Sequence, residues 1–343
     1  MLATGVCAIL LVTAPAARRV AASTLEIGID ENMFTVNGVD KFLVFVSYFD
    51  AMDVSSTNLH SDFQYLKARH VDGIRIFPNW WDVRQDVWNA YPYPTYYFSP
   101  RTLFASNGTV QSGPLSTFLN VLSIAKSEGL LVDVSFSAES VSGLSFSEDA
   151  SAIGSITTTL ANGGSAYKHV LFDLQNEYNE NGPGGPALTD SQVLSIRNTV
   201  KSYDPDRIVT ASISHSDPPG SAASHEASAG VDAIAWHEYR DNGFWTRLAG
   251  DIHSIQTAEP DPPIYLQEPA RLENDGNDNN TAWLTAAGFG ADVRSAYVNG
   301  AAAWCFHTGG SFHMDGSKLQ SKLQPVETTF LTCLNSYVHT GGC

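Results

Sequence analysis

Along most of the chain, short apolar runs alternate with longer stretches in which apolar residues recur at helical spacing. That is the pattern of successive βα units feeding a parallel sheet. The strand candidates are Phe42-Ser47, Gly73-Phe77, Leu130-Phe136, His169-Gln175, Arg207-Ile213, Val231-His237, Pro263-Gln267 and Ala301-Phe306, and eight is the number that closes a barrel. Between them the helical candidates include Asn58-Arg69, Leu115-Ser127, Ser191-Tyr203, Phe244-Thr257, Thr281-Val298 and Lys318-Ser336. Ahead of the first unit, Leu25-Asp30 and Met33-Val36 read as two short strands, with Asn37-Gly38 as the turn that leads into the barrel. This hairpin is expected to plug the barrel bottom. A doubly wound open sheet also alternates in this way, but it needs a Gly-rich phosphate loop after an early strand. The first strand is followed instead by Ser47-Tyr-Phe-Asp-Ala-Met52. The expected fold is therefore a (β/α)8 TIM barrel with a short N-terminal β-hairpin, forming one domain over residues 23–343.

Two predicted loops are long, 79–113 after the second strand and 138–149 after the third. Both belong to the C-terminal face, where barrel enzymes carry their sites. Two glutamates reach the same face. The apolar fourth strand runs into Asn176-Glu177, and the apolar seventh ends in Glu268. A single Glu at a strand end is more often solvated or a helix cap. A pair on one rim is what glycosidic cleavage with retention requires, one carboxyl protonating the leaving oxygen and the other attacking the anomeric carbon. The sixth strand ends in His237-Glu238-Tyr239, where alternation puts His237 and Tyr239 on one face and Glu238 on the other. A phenol beside the nucleophile would hold it ionised, and the imidazole would contact the sugar or tune the acid.

Composition narrows the partners more than it selects them. The 343 residues carry 36 Asp and Glu against 19 Lys and Arg, a formal charge of −17 that disfavours nucleic acid and anionic membranes. A neutral oligo- or polysaccharide suits this balance. The apolar run Gly5 to Thr13 followed by Ala14-Pro15-Ala16 reads as a signal peptide within residues 1–22, although its n-region has no Lys or Arg and Arg18 and Arg19 come after it. The expected protein is secreted or periplasmic, without stable membrane association once the leader is removed, and a monomer. Loss of the leader takes Cys7 and leaves Cys305, Cys333 and Cys343, with no C-x-x-C pair to suggest a zinc or redox motif. Cys333 and Cys343 are a candidate disulfide pinning the tail. No metal and no organic cofactor is called for.

Gly73-Ile-Arg75-Ile at the second strand, Asn176-Glu177 at the fourth, His237-x-Tyr239 at the sixth, Glu268 at the seventh and Trp304 at the eighth occur together in that order. The set resembles the clan A retaining glycoside hydrolases, the 4/7 superfamily, and is most similar to family 5 cellulase-like and mannanase-like enzymes. The resemblance implies that Arg75 supports the nucleophile from below and Asn176 binds the sugar 2-hydroxyl. Glu177 would serve as acid and then base, His237 and Tyr239 would orient the site, Glu268 would form the glycosyl-enzyme, and Trp304 would floor the −1 subsite. Many relatives place a His at the end of the third strand, where this chain has Val132-Asp-Val-Ser-Phe-Ser137.

The loop after the second strand holds Trp80, Trp81, Trp88, Tyr91, Tyr93, Tyr96 and Tyr97. Such aromatic density suits stacking on sugar rings, and Trp80 and Trp81, nearest the strand end, are the candidate contacts. In the expected cycle burial and anionic Glu268 hold Glu177 protonated until Glu268 is esterified, after which Glu177 activates water. Two other readings account for the residues less well. A non-catalytic carbohydrate-binding barrel leaves both strand-end glutamates unexplained. A metal-dependent barrel hydrolase lacks its signatures, because no His-x-His closes the first strand and His225-Glu226 and His237-Glu238 have no following zincin His. A serine hydrolase would need a G-x-S-x-G elbow, which does not occur.

Overall fold

A computed structural model of the chain describes residues 24–79, 102–105, 107–136, 144–180, 187–269, 284–310 and 316–343. It is a (β/α)8 barrel with a small antiparallel sheet at its N-terminus. All eight strand candidates are present. They are β4 (Leu43–Ser47), β5 (Gly73–Ile76), β6 (Leu131–Ser135), β7 (Val170–Asp173), β8 (Val209–Thr210), β9 (Ile234–His237), β10 (Ile264–Glu268) and β11 (Ala303–Phe306). Every neighbouring pair is parallel, from β8 through β4 and β11 round to β9. Closure between β8 and β9 rests on a parallel bridge between Ile213 and Trp236. There Ile213 N–H donates to Ala235 C=O at 3.1 Å and His237 N–H to Ile213 C=O at 3.0 Å.

The strands are buried on both faces, which is why they read as nearly continuous apolar runs. Their outward residues pack under the helices α1 (Ser56–Lys67), α2 (Ser112–Ser127), α3 (Phe146–Asn162), α4 (Asp190–Tyr203), α5 (Pro219–Ser228), α6 (Leu248–Ala258), α7 (Ala286–Val298), α8 (Leu319–Lys322) and α9 (Pro325–Thr340). Two helix boundaries depart from expectation for identifiable reasons. The loop predicted over 138–149 ends early because Ser145 and Glu148 form a reciprocal capping box that starts α3. The helix predicted over Lys318-Ser336 is divided into α8 and α9 at Pro325, which sits at an N-terminal position of α9 where its missing N–H costs nothing.

The N-terminal strands β1 (Ile27–Asp30), β2 (Met33–Val36) and β3 (Val39–Asp40) cap the barrel bottom. Ile27 and Phe34 enter a separate core with the inward Leu43, Phe45, Leu131, Leu171, Tyr265 and Cys305. Ile27 N–H donates to Lys168 C=O just before β7, fastening the plug to the barrel wall at 3.0 Å. At the other end of the chain Cys333 and Cys343 are paired, with Cα atoms 5.2 Å apart, tying the tail to α9. Among the described residues no helix is long and apolar enough to cross a membrane.

Candidate active site

The two glutamates reach one mouth through two local departures from regular strand. In β10 the alternation runs Leu266 outward and Gln267 inward, the Gln267 side-chain amide donating to Asp133 Oδ2 at 2.9 Å. Strict alternation would send Glu268 outward with Leu266. The register against β9 slips between Leu266 and Glu268, a bulge that re-aims Glu268 into the barrel mouth. Beyond β7, Glu177 adopts φ 51°, a left-handed conformation uncommon for a residue with a Cβ. Its N–H donates to Ser212 Oγ at 3.1 Å, and the next N–H, of Tyr178, to Ser212 C=O at 3.0 Å. Ser212 is itself fixed, its N–H donating to Asp173 Oδ1 at 3.0 Å. Backbone strain of this kind clusters at functional sites and persists where neighbours over-determine it.

His237 stands between the acids. Its Nδ1 is 2.8 Å from Glu177 Oε1 and 3.5 Å from Glu268 Oε2. One oxygen of each glutamate and one imidazole nitrogen all lie within 4.8 Å of one another. Beneath them Arg75 is fully buried and spends its guanidinium on the barrel interior. It donates to Glu268 Oε1 at 2.5 Å, Asp173 Oδ2 at 2.8 Å, Asn176 Oδ1 at 2.7 Å and Ser135 Oγ at 2.9 Å. Asp133 Oδ2 lies 3.6 Å from its Nε. With Oδ1 of Asn176 engaged, the amide nitrogen of Asn176 is the end left for a ligand. Glu268 Oε2 receives a second guanidinium, Arg240, at 2.5 Å, and His307 Nε2 is 3.8 Å away.

Burial pushes both glutamates up, and the surrounding cations reverse the result. For Glu268, His237, His307, Arg75 and Arg240 together hold the carboxyl well below the usual range. For Glu177, the His237 hydrogen bond and charge, aided by Arg240, outweigh burial and the repulsion from Glu268, so this carboxyl too sits below its ordinary value. This corrects the expectation that Glu177 is held protonated in the empty site. A proton for a leaving group can pass along the 2.8 Å contact between His237 Nδ1 and Glu177 Oε1. The His237 Nε2 finds no hydrogen-bond partner among the described residues.

Arg75, Asn176, Glu177, His237 and Glu268 thus meet in one place, as their strand positions suggested. Tyr239 makes no hydrogen bond to Glu268 among the described residues. Its ring packs edge-on to Trp236 and His215, at centroid distances of 5.7 and 5.9 Å, with the Arg247 guanidinium 4.6 Å above it. Trp304 is away from the mouth as well. Alternation along β11 puts Ala303 and Cys305 in the barrel interior and turns Trp304 outward, where its Nε1 donates to Asp292 Oδ2 of α7 at 2.8 Å. Glu238 is likewise turned away, into a buried pair with Asp292. Trp80 and Trp81 lie outside the described residues. Two site residues escaped the sequence reading. The alternation that sends Trp304 outward brings His307 inward, a signal available in the sequence, whereas nothing local marked Arg240.

The Glu177, His237 and Glu268 donor atoms have the spacing of a small metal site. Their surroundings oppose one: both oxygens of Glu268 already accept from guanidinium groups, and a divalent cation there would face two fixed positive charges. The cluster fits proton transfer and nucleophilic attack better.

The sequence matches no family model and no curated protein. Its architecture is similar to several solved structures. A glycoside hydrolase family 5 mannosidase from Rhizomucor miehei superposes with a TM-score of 0.64 at 11% identity, over 93% of this chain and 98% of that one. The β-mannanase of the blue mussel Mytilus edulis gives 0.57 at 12% identity, over 89% and 98%. A family 5 glycoside hydrolase from Streptomyces cattleya in complex with Manβ1-4GlcNAc gives 0.57 at 13% identity, over 87% and 81%. At these identities the likeness is one of fold.

Proposed function

We propose that this protein is a retaining β-glycoside hydrolase, with Glu268 as nucleophile and Glu177 as general acid and then base. The observation that carries the reading is that one oxygen of Glu177 and one of Glu268 lie within 4.8 Å of each other, both beside a nitrogen of His237. Retaining enzymes hold their acids about 5 to 5.5 Å apart, whereas inverting enzymes leave about 6.5 to 9.5 Å for a water molecule. The charges suit the division of labour. Glu268 is kept ionised by the cations around it, and Glu177 is hydrogen-bonded to an imidazole at 2.8 Å. Protonation of the leaving oxygen by Glu177 accompanies attack by Glu268 on the anomeric carbon. Loss of the Glu268 charge then favours ionised Glu177, which takes a proton from water as that water releases the sugar. The amide nitrogen of Asn176, its oxygen held by Arg75, is the candidate donor to a sugar hydroxyl.

The substrate proposed is a β-linked oligo- or polysaccharide, an endo-β-glycanase or β-glycosidase substrate such as β-mannan or β-glucan. Mannose-containing chains come first because the similar folds include a mannosidase, a β-mannanase and an enzyme holding Manβ1-4GlcNAc. Export of the mature chain and a monomeric state remain part of the proposal. The test is a panel of β-mannans, β-glucans, xylans and aryl β-glycosides with Glu268→Gln and Glu177→Ala beside the parent. Product configuration is followed by NMR. Retention, and loss of turnover in both variants with folding intact, is expected. Net inversion would remove Glu268 as nucleophile, and turnover sensitive to a chelator would favour a metal-dependent hydrolase.

A further inference from the structure

The two oxygens of Glu268 are in unequal positions. Oε1 is held at 2.5 Å by Arg75, whose guanidinium is fully buried among barrel carboxylates and cannot reach a ligand. Oε2 lies 3.5 Å from His237 Nδ1, which is itself 2.8 Å from Glu177 Oε1, so with Glu268 as nucleophile it is the oxygen on the acid/base side and the candidate attacking atom. That attacking oxygen is covered in the empty site. Arg240, the residue after Tyr239, donates to it at 2.5 Å from a side chain that is only 24% exposed. The Arg240 Nε is buried with no hydrogen-bond partner among the described residues, so the guanidinium is not anchored by a full set of bonds. Among the described residues its hydrogen bond is to Glu268, a partner it can exchange for another.

We propose that Arg240 is the positioning residue of the nucleophile, a guanidinium that holds Oε2 of Glu268 in line in the empty site and passes to Glu177 as Oε2 attacks. The inference rests on the assignment of Glu268 as nucleophile. The charges balance through the step. As Oε2 forms its bond to the anomeric carbon, the bond from that carbon to the leaving oxygen breaks, and the leaving oxygen takes the proton of Glu177. Glu268 changes from anion to neutral ester while the hydrogen-bonded Glu177–His237 pair, having given one proton to the leaving oxygen, becomes one charge more negative. One negative charge disappears from beside Arg240 and another appears within its field, since the Arg240 charge already acts on Glu177. A single cation thereby serves both half-reactions, and it does so from the strand end at which the phenol of Tyr239 was expected. A neutral tyrosine could not supply a charge to hand over.

The experiment reads the Glu268 carboxyl directly. In protein labelled with 13C at the glutamate side-chain carboxyl, the Glu268 signal is the one lost in Glu268→Gln, and its titration is followed in the parent, Arg240→Met and Arg240→Lys. The other charged groups facing Glu268 are Arg75 from β5, His237 from β9, His307 after β11 and Glu177 after β7, all unchanged in these variants. We expect the Glu268 midpoint to rise by about one pH unit or more in Arg240→Met and to be partly restored in Arg240→Lys. On an aryl β-glycoside kcat should fall by about a hundredfold with KM changed little, and the acid limb of kcat/KM should move up with the carboxyl. An unmoved Glu268 titration in a folded Arg240→Met protein, or a loss confined to KM, would overturn the proposal. Should Arg240→Met fail to fold by its thermal transition, Arg240→Gln and Arg240→Lys carry the same comparison. Full turnover in Glu268→Gln would instead remove the nucleophile assignment, while the carboxyl titration would still report whether Arg240 governs Glu268.

Discussion

The lower and upper halves of the barrel interior are built from opposite chemistry. At the bottom Phe34 from the hairpin meets Leu43, Phe45, Leu131, Leu171 and Tyr265 in a core made of side-chain carbon. A few residues higher along the same strands, Arg75 is enclosed by Asp133, Asp173 and Glu268. Burying a large apolar side chain contributes roughly 1.5–3 kcal/mol, whereas charges withdrawn from water need near-complete pairing to offset their desolvation. The bottom therefore stabilises the fold. The top is tolerated because that stability exists, and it keeps the charge pattern that chemistry at the mouth uses.

Paired substitutions sharpen this contrast. The largest expected effect is at the top: Glu268→Gln should lower turnover roughly a thousandfold or more with the melting transition retained. Arg75→Met should lose both activity and stability, by about 3–5 kcal/mol, because it strands buried carboxylates without their cation. Phe34→Ala at the bottom should cost a similar amount, about 3–5 kcal/mol in denaturant unfolding, yet leave turnover per folded molecule unchanged. If Phe34→Ala impaired catalysis as much as stability, the division between the halves would fail.

The pH dependence separates the halves further. Glu177 and Glu268 are held below the ordinary carboxylate range, so the bell in kcat/KM should lie on the acid side of neutrality. His237→Ala removes a cause common to both, and the whole bell should move to higher pH as its height falls. A bell that stayed in place would deny His237 that role. Stability follows other groups. Burial raises Glu327 to about 7, despite backbone N–H bonds from Gln324 and Gly309, and burial also raises Asp292. A carboxyl raised on folding contributes stability that is complete below its unfolded value, near 4, and lost as pH climbs through the folded value. The protein should accordingly melt at lower temperature at pH 8 than at pH 5.5, and Glu327→Gln should flatten that slope. The smallest effect belongs to neither half: reducing Cys333–Cys343, which closes a short loop at the chain end, should cost about 2–3 kcal/mol at most and leave the pH profile of turnover unmoved.

Asn176, Glu177 and His237 were placed by strand order because each follows from where an apolar run stops, whereas Arg75 lies inside β5 and came from the resemblance. Trp304 and His307 show the alternation rule overriding a resemblance: with Ala303 and Cys305 inward, period-two geometry sends Trp304 to the helices and His307 to the mouth. Burial and Glu268 by themselves raise the Glu177 carboxyl, and the hydrogen bond to His237, which the fold supplies across 60 positions, reverses the direction. Arg240 left no mark in the sequence, since an exposed-looking arginine after a strand is ordinary until a carboxylate 28 positions away is folded against it.

Sequence by itself determined the eight βα units, the hairpin beneath them and the strand ends at which the acids emerge, because hydrophobic periodicity and turn chemistry are local properties. Tertiary structure alone decided which way those ends point. The slip between Leu266 and Glu268 turns a residue that alternation would face outward into the mouth, and Glu177 takes a left-handed conformation in which its N–H is held by Ser212. Both are departures from strand regularity, and departures are fixed by neighbours distant in the chain: β9 against β10, and Ser212 against the end of β7. The electrostatics belong to the same category, since the charge state of Glu268 is set by cations drawn from three separate strand ends.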